Sequence, residues 1–277
     1  METEIRGNLA VFKNVTDFDM EQTFNCGQCF RWNKECEAFV GFDGSWLCRV
    51  SLENGDMLVE KLRGEGDMQR FATYMADYLS LNVDYGALKE KFSEDETMKR
   101  AIAFAPGIRV LNQPFFETLI TFIISRNNNI PRIKKIVDAM ADTYGAPVGD
   151  YHAFPSRQQL KDVSIEDYSR LKMGFRAKYV YDAVQKVTSG EIRREEIEKM
   201  DLDSARKYLM QIKGVGPKVA DCILLFSCKK YDSFPKDVWI NRAMDRLFPD
   251  GLPQCVKGRE GIAQQYIFHY ARFNLEK

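Results

Sequence analysis

One short segment, residues 212–221, constrains the fold of this chain more than any other; it reads IKGVGPKVAD. Gly214 and Gly216 permit a tight turn because neither carries a Cβ. Pro217 can open the next helix, where its missing N–H costs nothing. The segment therefore predicts a helix–hairpin–helix at about residues 203–229. Glycine amides at a helix N-terminus can hold a nucleic-acid phosphate without reading the base sequence.

Two residues beside the hairpin carry chemistry. Lys218 lies on the first turn after it, and Asp237 follows Pro235 just before another predicted helix. A neutral amine can attack a sugar carbon that bears a base, expel the base and form a Schiff base that permits strand cleavage by β-elimination. A carboxylate can stabilise the positive charge that develops on the sugar. Each residue could also have an ordinary structural role, Lys218 as a solvated surface side chain and Asp237 as a helix N-cap. Together with the hairpin, however, the two residues indicate DNA chemistry performed by an amine.

The N-terminal part of the chain is predicted to be an antiparallel sheet. Strand-like segments occur at 38–42, 45–52 and 57–62. Asp43-Gly44 and Asn54-Gly55 separate them, and such dipeptides close tight hairpins. Apolar and polar residues alternate in the second segment, which predicts that one face of the sheet is buried.

Helices are predicted for the rest of the chain. Apolar residues recur at helical spacing at 71–79, 115–123, 133–140 and 179–187. Two capping boxes predict further helix starts: Ser156 with Gln159, and Ser164 with Asp167. The predicted fold class is therefore α+β, an N-terminal antiparallel sheet followed by a mostly helical body that carries the hairpin.

Composition limits the kinds of protein that this chain can be. Its 277 residues are 45% hydrophobic, which is enough for a large core. It has neither an apolar run long enough to span a membrane nor a signal-peptide-like start. Its seven cysteines, an odd number, are expected to be reduced thiols of an intracellular protein. A metal site is not expected, because Cys26 and Cys29 lack a second pair of ligands nearby.

The charge balance is neutral, with 40 basic and 40 acidic residues. Many nucleic-acid-binding proteins instead carry an excess of basic residues. Basic residues are enriched in the middle of the chain, at Arg126, Arg132, Lys134, Lys135, Arg157, Lys161, Arg170, Lys172, Arg176 and Lys178. They could form a local basic face that contacts phosphates. From charge alone, a solvated surface of mixed sign is the simpler interpretation.

Four segments resemble, in order, the motifs of 8-oxoguanine DNA glycosylases. They are NCGQCFRW at 25–32, FIISRNNNIPR at 122–132, the hairpin with FPKDVW at 234–239, and AQQYIF at 263–268. The hairpin alone marks a superfamily, whereas the set of four covers nearly the whole chain and is specific. The resemblance implies a bifunctional glycosylase and β-lyase that needs no cofactor. Its expected partner is duplex DNA with 8-oxoguanine opposite cytosine, bound by a monomer away from membranes.

The resemblance also implies a domain arrangement and a set of roles. The implied domains are an N-terminal sheet domain at 1–66, a helical subdomain that joins 67–112 to 231–277, and a second helical subdomain at 113–230. In the implied roles, Lys218 is the nucleophile and Asp237 is its acidic partner. The carbonyl of Gly27 faces the damaged base, and Gln264 binds the Watson–Crick edge of that base. Cys222 and Phe268 contact the two faces of the base. The carbonyl of Gly27 suits the lesion, because N7 of 8-oxoguanine carries a hydrogen whereas N7 of guanine accepts one.

A second group of residues is implied to hold the other strand. Asn127, Arg132 and Arg176 would bind the cytosine left without a partner when the lesion is taken out of the helix. Phe175, where a tyrosine is common in the family, can wedge into the base stack. Trp239 stands where eukaryotic members carry a histidine, which puts one phosphate contact in doubt.

Two alternatives remain from the sequence. A related glycosylase for another base, such as an alkylated purine, would not need the lysine at 218. A non-catalytic DNA-binding module would use only the hairpin and would need neither Lys218 nor Asp237. The iron–sulfur branch of the superfamily is disfavoured, because Cys255 alone follows Asp237 where that branch has four cysteines.

Overall fold

The computed structural model describes residues 2–43 and 46–275. In these ranges an antiparallel sheet is followed by a helical body, so the predicted α+β class is confirmed. The predicted turn at Asp43-Gly44 and the first residue of the predicted strand, Ser45, involve positions outside the described residues.

The sheet has six strands in the described part of the chain, and a separate pair follows later. The strands are β1 (Thr3–Arg6), β2 (Leu9–Phe12), β3 (Trp32–Glu35), β4 (Ala38–Asp43), β5 (Trp46–Glu53), β6 (Asp56–Arg63), β7 (Pro147–Val148) and β8 (Tyr151–His152). The order in the sheet is β1-β2-β6-β5-β4-β3, and every neighbouring pair is antiparallel. The predicted strands therefore correspond to β4, β5 and β6, and β1, β2 and β3 are additional.

The hairpin between β5 and β6 forms where the turn dipeptide predicted it. Asn54 and Gly55 both have positive φ, 53° and 84°, as a two-residue type I′ turn requires. The turn pairs Glu53 with Asp56 and so sets the register of both strands.

The prediction that one sheet face is buried is incomplete. Cys48 and Val50 of β5 point into the main cluster of the sheet, as expected. Leu47 is buried as well, on the opposite face, where it packs with Val40 and Phe42. Val148 of the β7–β8 pair packs against this second cluster, so part of the reverse face is covered by a distant segment of the chain.

Fourteen α-helices and two 3₁₀ helices occur within residues 2–43 and 46–275. The α-helices are α1 (Met20–Phe24), α2 (Met68–Tyr78), α3 (Tyr85–Phe92), α4 (Glu96–Phe104), α5 (Phe115–Ser125), α6 (Ile130–Tyr144), α7 (Arg157–Leu160), α8 (Ile165–Arg170), α9 (Ala177–Thr188), α10 (Arg194–Lys199), α11 (Leu202–Leu209), α12 (Pro217–Ser227), α13 (Val238–Leu247) and α14 (Glu260–Asn274); the 3₁₀ helices are Gly174–Arg176 and Gln254–Val256. Both predicted capping boxes are present, at the starts of α7 and α8. Among the described residues no helix has the length and apolarity to cross a membrane.

The two largest apolar clusters do not separate strands from helices, because helix α2 belongs to the cluster of the sheet. Helix α2 packs against the sheet through residues such as Phe71 and Met75. Helices α3 to α14 all contribute to one continuous cluster, in which α5 is almost entirely buried. Phe122 of α5 stacks on Phe226 of α12, with 5.4 Å between ring centroids. Because this cluster spans both predicted helical subdomains, the domain boundaries at 66, 112 and 230 stay a prediction.

Candidate active site

The predicted glycine hairpin joins α11 to α12. Gly214 has φ +85°, and a Cβ there would lie 2.4 Å from Cγ of Tyr179, so this position requires glycine. Gly216 caps α12, and a Cβ on it would meet nothing within 4 Å. Pro217 opens the helix as predicted. The backbone at Gly216 is thus open at a helix N-terminus, a geometry suited to an anion.

The amine and the carboxylate predicted to act together lie on neighbouring helix starts. Lys218 is half-buried on the first turn of α12, with Nζ 5.5 Å from the centroid of the Phe122 ring. Asp237 is the N-cap of α13, and its Oδ1 accepts a hydrogen bond of 2.8 Å from the amide of Ile240. Both side chains line the same cleft. Asp237 is therefore a helix cap, as the ordinary alternative held, and also a wall of this cleft.

This cleft opens to solvent. Its lining includes all six residues implied for catalysis and base binding: Gly27, Lys218, Cys222, Asp237, Gln264 and Phe268. They come from four places, the loop after α1, the first two turns of α12, the start of α13, and α14. We call this cleft the base pocket. Gly27 has φ +89°, a backbone conformation that favours glycine.

Both cysteines of the base pocket are protonated at neutral pH. Cys222 is buried one turn after Lys218, and burial raises the pKa of its thiol while the neighbouring Lys218 acts in the opposite direction. Burial also raises the pKa of the Cys26 thiol, to about 11. Neither group is a ready nucleophile, because the thiolate is the reactive form.

Gln265 and Phe122 are among the residues of the base pocket for which the sequence predicted no role. Gln265 is 4% exposed, and its Nε2 donates a hydrogen bond to Oε1 of Gln264 at 2.5 Å. Phe122, under Lys218, belongs to a segment that the resemblance included, but it was given no role. A signal for Gln265 existed in the sequence, because two adjacent amides interrupt an otherwise apolar run in α14. Buried polar groups of this kind require partners.

A second cleft adjoins the base pocket, and we call it the outer cleft. Lys218 and Asp237 line both, and Asn127, Gly216 and Trp239 are among the other residues of the outer cleft. The indole of Trp239 lies under the guanidinium of Arg242, with 5.0 Å between Cζ and the ring centroid. The reacting groups are therefore reachable from a surface that also carries the open end of the hairpin.

The residues predicted to bind the opposite strand differ in exposure. Asn127 and Arg132 are exposed, and Arg132 Nη2 donates to the carbonyl of Lys172 at 3.3 Å. Phe175 is 47% exposed, as a side chain that enters a base stack must be. Arg176 is only 2% exposed.

The burial of Arg176 has a clear cause. Its guanidinium donates to the carbonyls of Arg126, at 2.8 and 2.5 Å, and of Asn127, at 2.6 Å. It also lies over the ring of Phe175, at 4.5 Å. In this arrangement Arg176 holds the loop that carries Asn127, and contact with a cytosine would require an exchange of hydrogen-bond partners.

No group of three or more histidine, cysteine or acidic side chains within the described residues could hold a metal ion. No disulfide joins any two of the seven cysteines, all of which lie within the described residues.

A family model and a curated relative that covers most of the chain indicate the same family. Residues 10–119 match the N-terminal domain of 8-oxoguanine DNA glycosylase. The chain is 32% identical over 274 residues to N-glycosylase/DNA lyase OGG1 of Arabidopsis thaliana, covering 93% of this chain and 74% of the relative. The chain belongs to the 8-oxoguanine DNA glycosylase family.

Solved structures of 8-oxoguanine glycosylases superpose closely on this family member. MBOgg1, in complex with a low affinity DNA ligand, has a TM-score of 0.91 at 38% identity, with 98% of each chain covered. The 8-oxoguanine glycosylase/lyase of Clostridium acetobutylicum, bound to double-stranded DNA with cytosine opposite 8-oxoguanine, has a TM-score of 0.90 at 34% identity, again with 98% of each chain covered. The family resemblance of the four sequence segments is thereby confirmed.

Proposed function

We propose that Lys218 and Asp237 perform, in this protein, the two reactions of a bifunctional 8-oxoguanine DNA glycosylase. The protein is a DNA repair glycosylase with lyase activity at the resulting abasic site. One observation carries the assignment to these residues: the amine, the carboxylate and four residues suited to a flat base line a single pocket. A module that only bound DNA would need none of this convergence.

The first reaction removes the base. The lone pair of the neutral Lys218 amine forms a bond to C1′ of the sugar, and the C1′–N9 bond breaks with its electrons leaving on the base, which then takes up a proton. Asp237 stabilises the positive charge that develops on the sugar in the transition state. Its position is held by the hydrogen bond from the amide of Ile240, at 2.8 Å.

The second reaction cleaves the strand. The adduct nitrogen then loses one proton and forms a double bond to C1′ as the C1′–O4′ bond breaks. O4′ takes up a proton, so the sugar opens and leaves a protonated Schiff base between C1′ and Lys218. This group acidifies C2′, which loses a proton, and the electron pair expels the 3′ phosphate as the C3′–O3′ bond breaks. No added cofactor is needed, because the imine is the electron sink.

The lesion is recognised in the base pocket after it leaves the base stack. Cys222 and Phe268 contact its two faces, Gln264 binds its Watson–Crick edge, and the carbonyl of Gly27 accepts a hydrogen bond from N7–H. Guanine would oppose its N7 lone pair to that carbonyl, and two buried acceptors would be left without a donor. One contact of this kind supplies roughly tenfold to hundredfold discrimination.

The rest of the duplex is held outside the base pocket. Asn127, Arg132 and Arg176 bind the unpaired cytosine, and Phe175 fills the space left in the stack. The backbone at Gly214 and Gly216 binds a phosphate, as suits a helix N-terminus. The protein acts as a monomer on duplex DNA inside the cell.

Borohydride trapping tests the nucleophile. Reduction of the imine during reaction with a lesion duplex should link wild-type protein covalently to DNA, as seen on a denaturing gel. Lys218→Gln should bind the duplex but neither cut nor cross-link. Lys207→Gln is the matched control, because it removes the same charge from an exposed position of α11 and should cross-link normally. Cross-linking by Lys218→Gln would overturn the assignment of the nucleophile. Cleavage of duplexes with each of the four bases opposite 8-oxoguanine tests the proposed preference for cytosine.

A further inference from the structure

A chain of buried hydrogen bonds crosses the wall of the base pocket. The Cys26 thiol lies 3.5 Å from Oε1 of Gln265, Nε2 of Gln265 donates to Oε1 of Gln264 at 2.5 Å, and Nε2 of Gln264 donates to the carbonyl of Pro235 at 3.0 Å. The chain runs from the residue before Gly27 to the segment that precedes Asp237. It thus connects the two sides of the base pocket through one pair of amides.

The carbonyl of Pro235, at one end, gives this chain a direction. The carbonyl of Pro235 can only accept, so it must face the amide nitrogen of Gln264. The Cys26 thiol keeps its proton because burial raises its pKa to about 11. The single hydrogen of that thiol has two neighbouring acceptors, the carbonyl of Thr23 at 3.2 Å and Oε1 of Gln265 at 3.5 Å, and can bond to one of them at a time. A flip of either glutamine amide alone would place donor against donor or acceptor against acceptor between two side chains that are each 4% exposed.

A fixed amide can distinguish two kinds of base edge. After its bonds to Gln265 and Pro235, Gln264 retains one lone pair on Oε1 and one hydrogen on Nε2. A guanine-type edge presents an acceptor at C6 beside a donor at N1. An adenine-type edge presents the reverse, a donor at C6 beside an acceptor at N1. An amide free to flip could bind either edge, whereas an amide held in one orientation binds one of them.

We propose that Gln265 is a positioning residue that holds the Gln264 amide in the orientation that accepts a guanine-type edge and rejects an adenine-type edge. This inference rests on the proposed function, because it takes Gln264 to be the residue that reads the base. Gln265 does not itself contact the base; it acts through Gln264.

Two lesions isolate the edge that Gln264 reads. 8-Oxoguanine and 8-oxoadenine both carry N7–H and a carbonyl at C8, so the contact with Gly27 is the same and only the Watson–Crick edge differs. Each is placed opposite cytosine, and single-turnover excision gives the ratio of their rates. In Gln265→Ala we expect excision of 8-oxoguanine to fall about tenfold, the effect of one buried hydrogen bond, and the ratio to fall with it.

A third substrate separates positioning from damage to the fold. Cleavage of a duplex with a preformed abasic site requires Lys218 but no base, so Gln265→Ala should cleave it at the wild-type rate. Gln265→Met, of similar volume and without an amide, repeats the test if the alanine variant is unstable. Gln254→Ala, an exposed glutamine in the second 3₁₀ helix, is the control and should match wild type on all three substrates.

The double variant tests whether Gln265 acts through Gln264. Gln264→Ala and Gln264→Ala/Gln265→Ala should excise 8-oxoguanine at the same rate, because the second change has nothing left to position. A further loss in the double variant overturns the inference. So does a wild-type ratio in Gln265→Ala, or equal slowing on all three substrates. A wild-type protein that cannot excise 8-oxoguanine would instead overturn the proposed function, whereas an active wild type with an unchanged ratio in Gln265→Ala overturns this inference alone.

Discussion

The base pocket is built differently from the surface proposed to bind the opposite strand, which consists of Asn127, Arg132, Phe175 and Arg176. We call the second region the opposite-strand surface. In the base pocket, residues as far apart in sequence as Gly27 and Phe268 converge, and the buried amide of Gln264 already has partners. On the opposite-strand surface, Arg132 is exposed, and the donors of Arg176 are bound to carbonyls of its own chain. The residues of the first region already lie together, whereas in the second region Arg176 would have to exchange its hydrogen bonds to contact a cytosine as proposed. Substitutions in the base pocket should therefore change the rate of base excision and the selectivity for the lesion. Substitutions on the opposite-strand surface should change the stability of the protein and, modestly, its preference for the opposite base.

The largest effect is expected at Asp237. Asp237→Asn keeps an N-cap for α13, so the melting temperature should stay near that of wild type. Base excision should fall by roughly two to three orders of magnitude, because a charge that stabilises the transition state is lost. Asp201→Asn is the matched control, since Asp201 caps α11 through a bond of 2.8 Å from the amide of Ser204. Wild-type excision by Asp237→Asn would show that Asp237 is only a cap.

A smaller effect is expected at Gly27. Gly27→Ala places a Cβ 3.4 Å from Cδ1 of Ile130, at a φ of +89°. The left-handed backbone should cost about 1–2 kcal/mol of stability, and loss of the carbonyl contact should slow excision roughly tenfold to hundredfold. Gly55→Ala isolates the strain, because Gly55 has φ +84° with open space around it, in the sheet. If both variants excise 8-oxoguanine equally well, the carbonyl of Gly27 does not read the lesion.

Substitution of the two arginines of the opposite-strand surface should have different effects. Arg132→Ala should slow excision opposite cytosine about fivefold, with a smaller change opposite adenine and little change in melting temperature. Arg176→Ala should also lower the melting temperature by several degrees, because the carbonyls of Arg126 and Asn127 lose their donor. Equal slowing with every opposite base would indicate a phosphate contact, which carries no sequence information.

The smallest effect is a spectroscopic one at Trp239. Trp32 and Trp46 are 1% and 7% exposed in the cluster of the sheet, whereas Trp239 lines the outer cleft. Addition of duplex DNA should therefore change the tryptophan emission through Trp239, and Trp239→Phe should abolish that change. An emission change that survives in Trp239→Phe would place the DNA somewhere other than the outer cleft.

Local chemistry explains which parts of the fold could be predicted. The hairpin at Asn54-Gly55 and the glycine turn before Pro217 depend on backbone preferences of adjacent residues. Strand β2 was not predicted, because its LAVF sequence shows no alternation and one of its two partners, β6, lies far away in sequence. The same limit applies to the cover over Leu47, which comes from the distant β7–β8 pair.

The candidate site likewise contains residues that local sequence patterns predict and residues that depend on contacts between distant parts of the chain. Lys218 and Asp237 were found because glycines and proline mark the helix starts that carry them. The remaining members of the base pocket depended on the family resemblance, since no local pattern distinguishes Phe268 from a core side chain. The contact between Cys26 and Gln265 joins residues 239 positions apart, and the burial of Arg176 depends on a loop fifty residues earlier. Tertiary contacts of this kind leave no periodic trace in the sequence.

The placement of three of the proposed roles at the start of a single helix limits how this protein can change. Gly216, Lys218 and Cys222 stand at fixed positions on α12, which rises about 1.5 Å and turns about 100° per residue. In the proposed roles the helix sets the spacing between the groups that contact phosphate, sugar and base, with about 6 Å along the axis from Cα of Lys218 to Cα of Cys222. An insertion or deletion of one residue between Gly216 and Cys222 would rotate the thiol away from the lesion whatever its sequence. Variation in length among functional relatives should therefore be confined to the loops, and residues 214–222 should tolerate none.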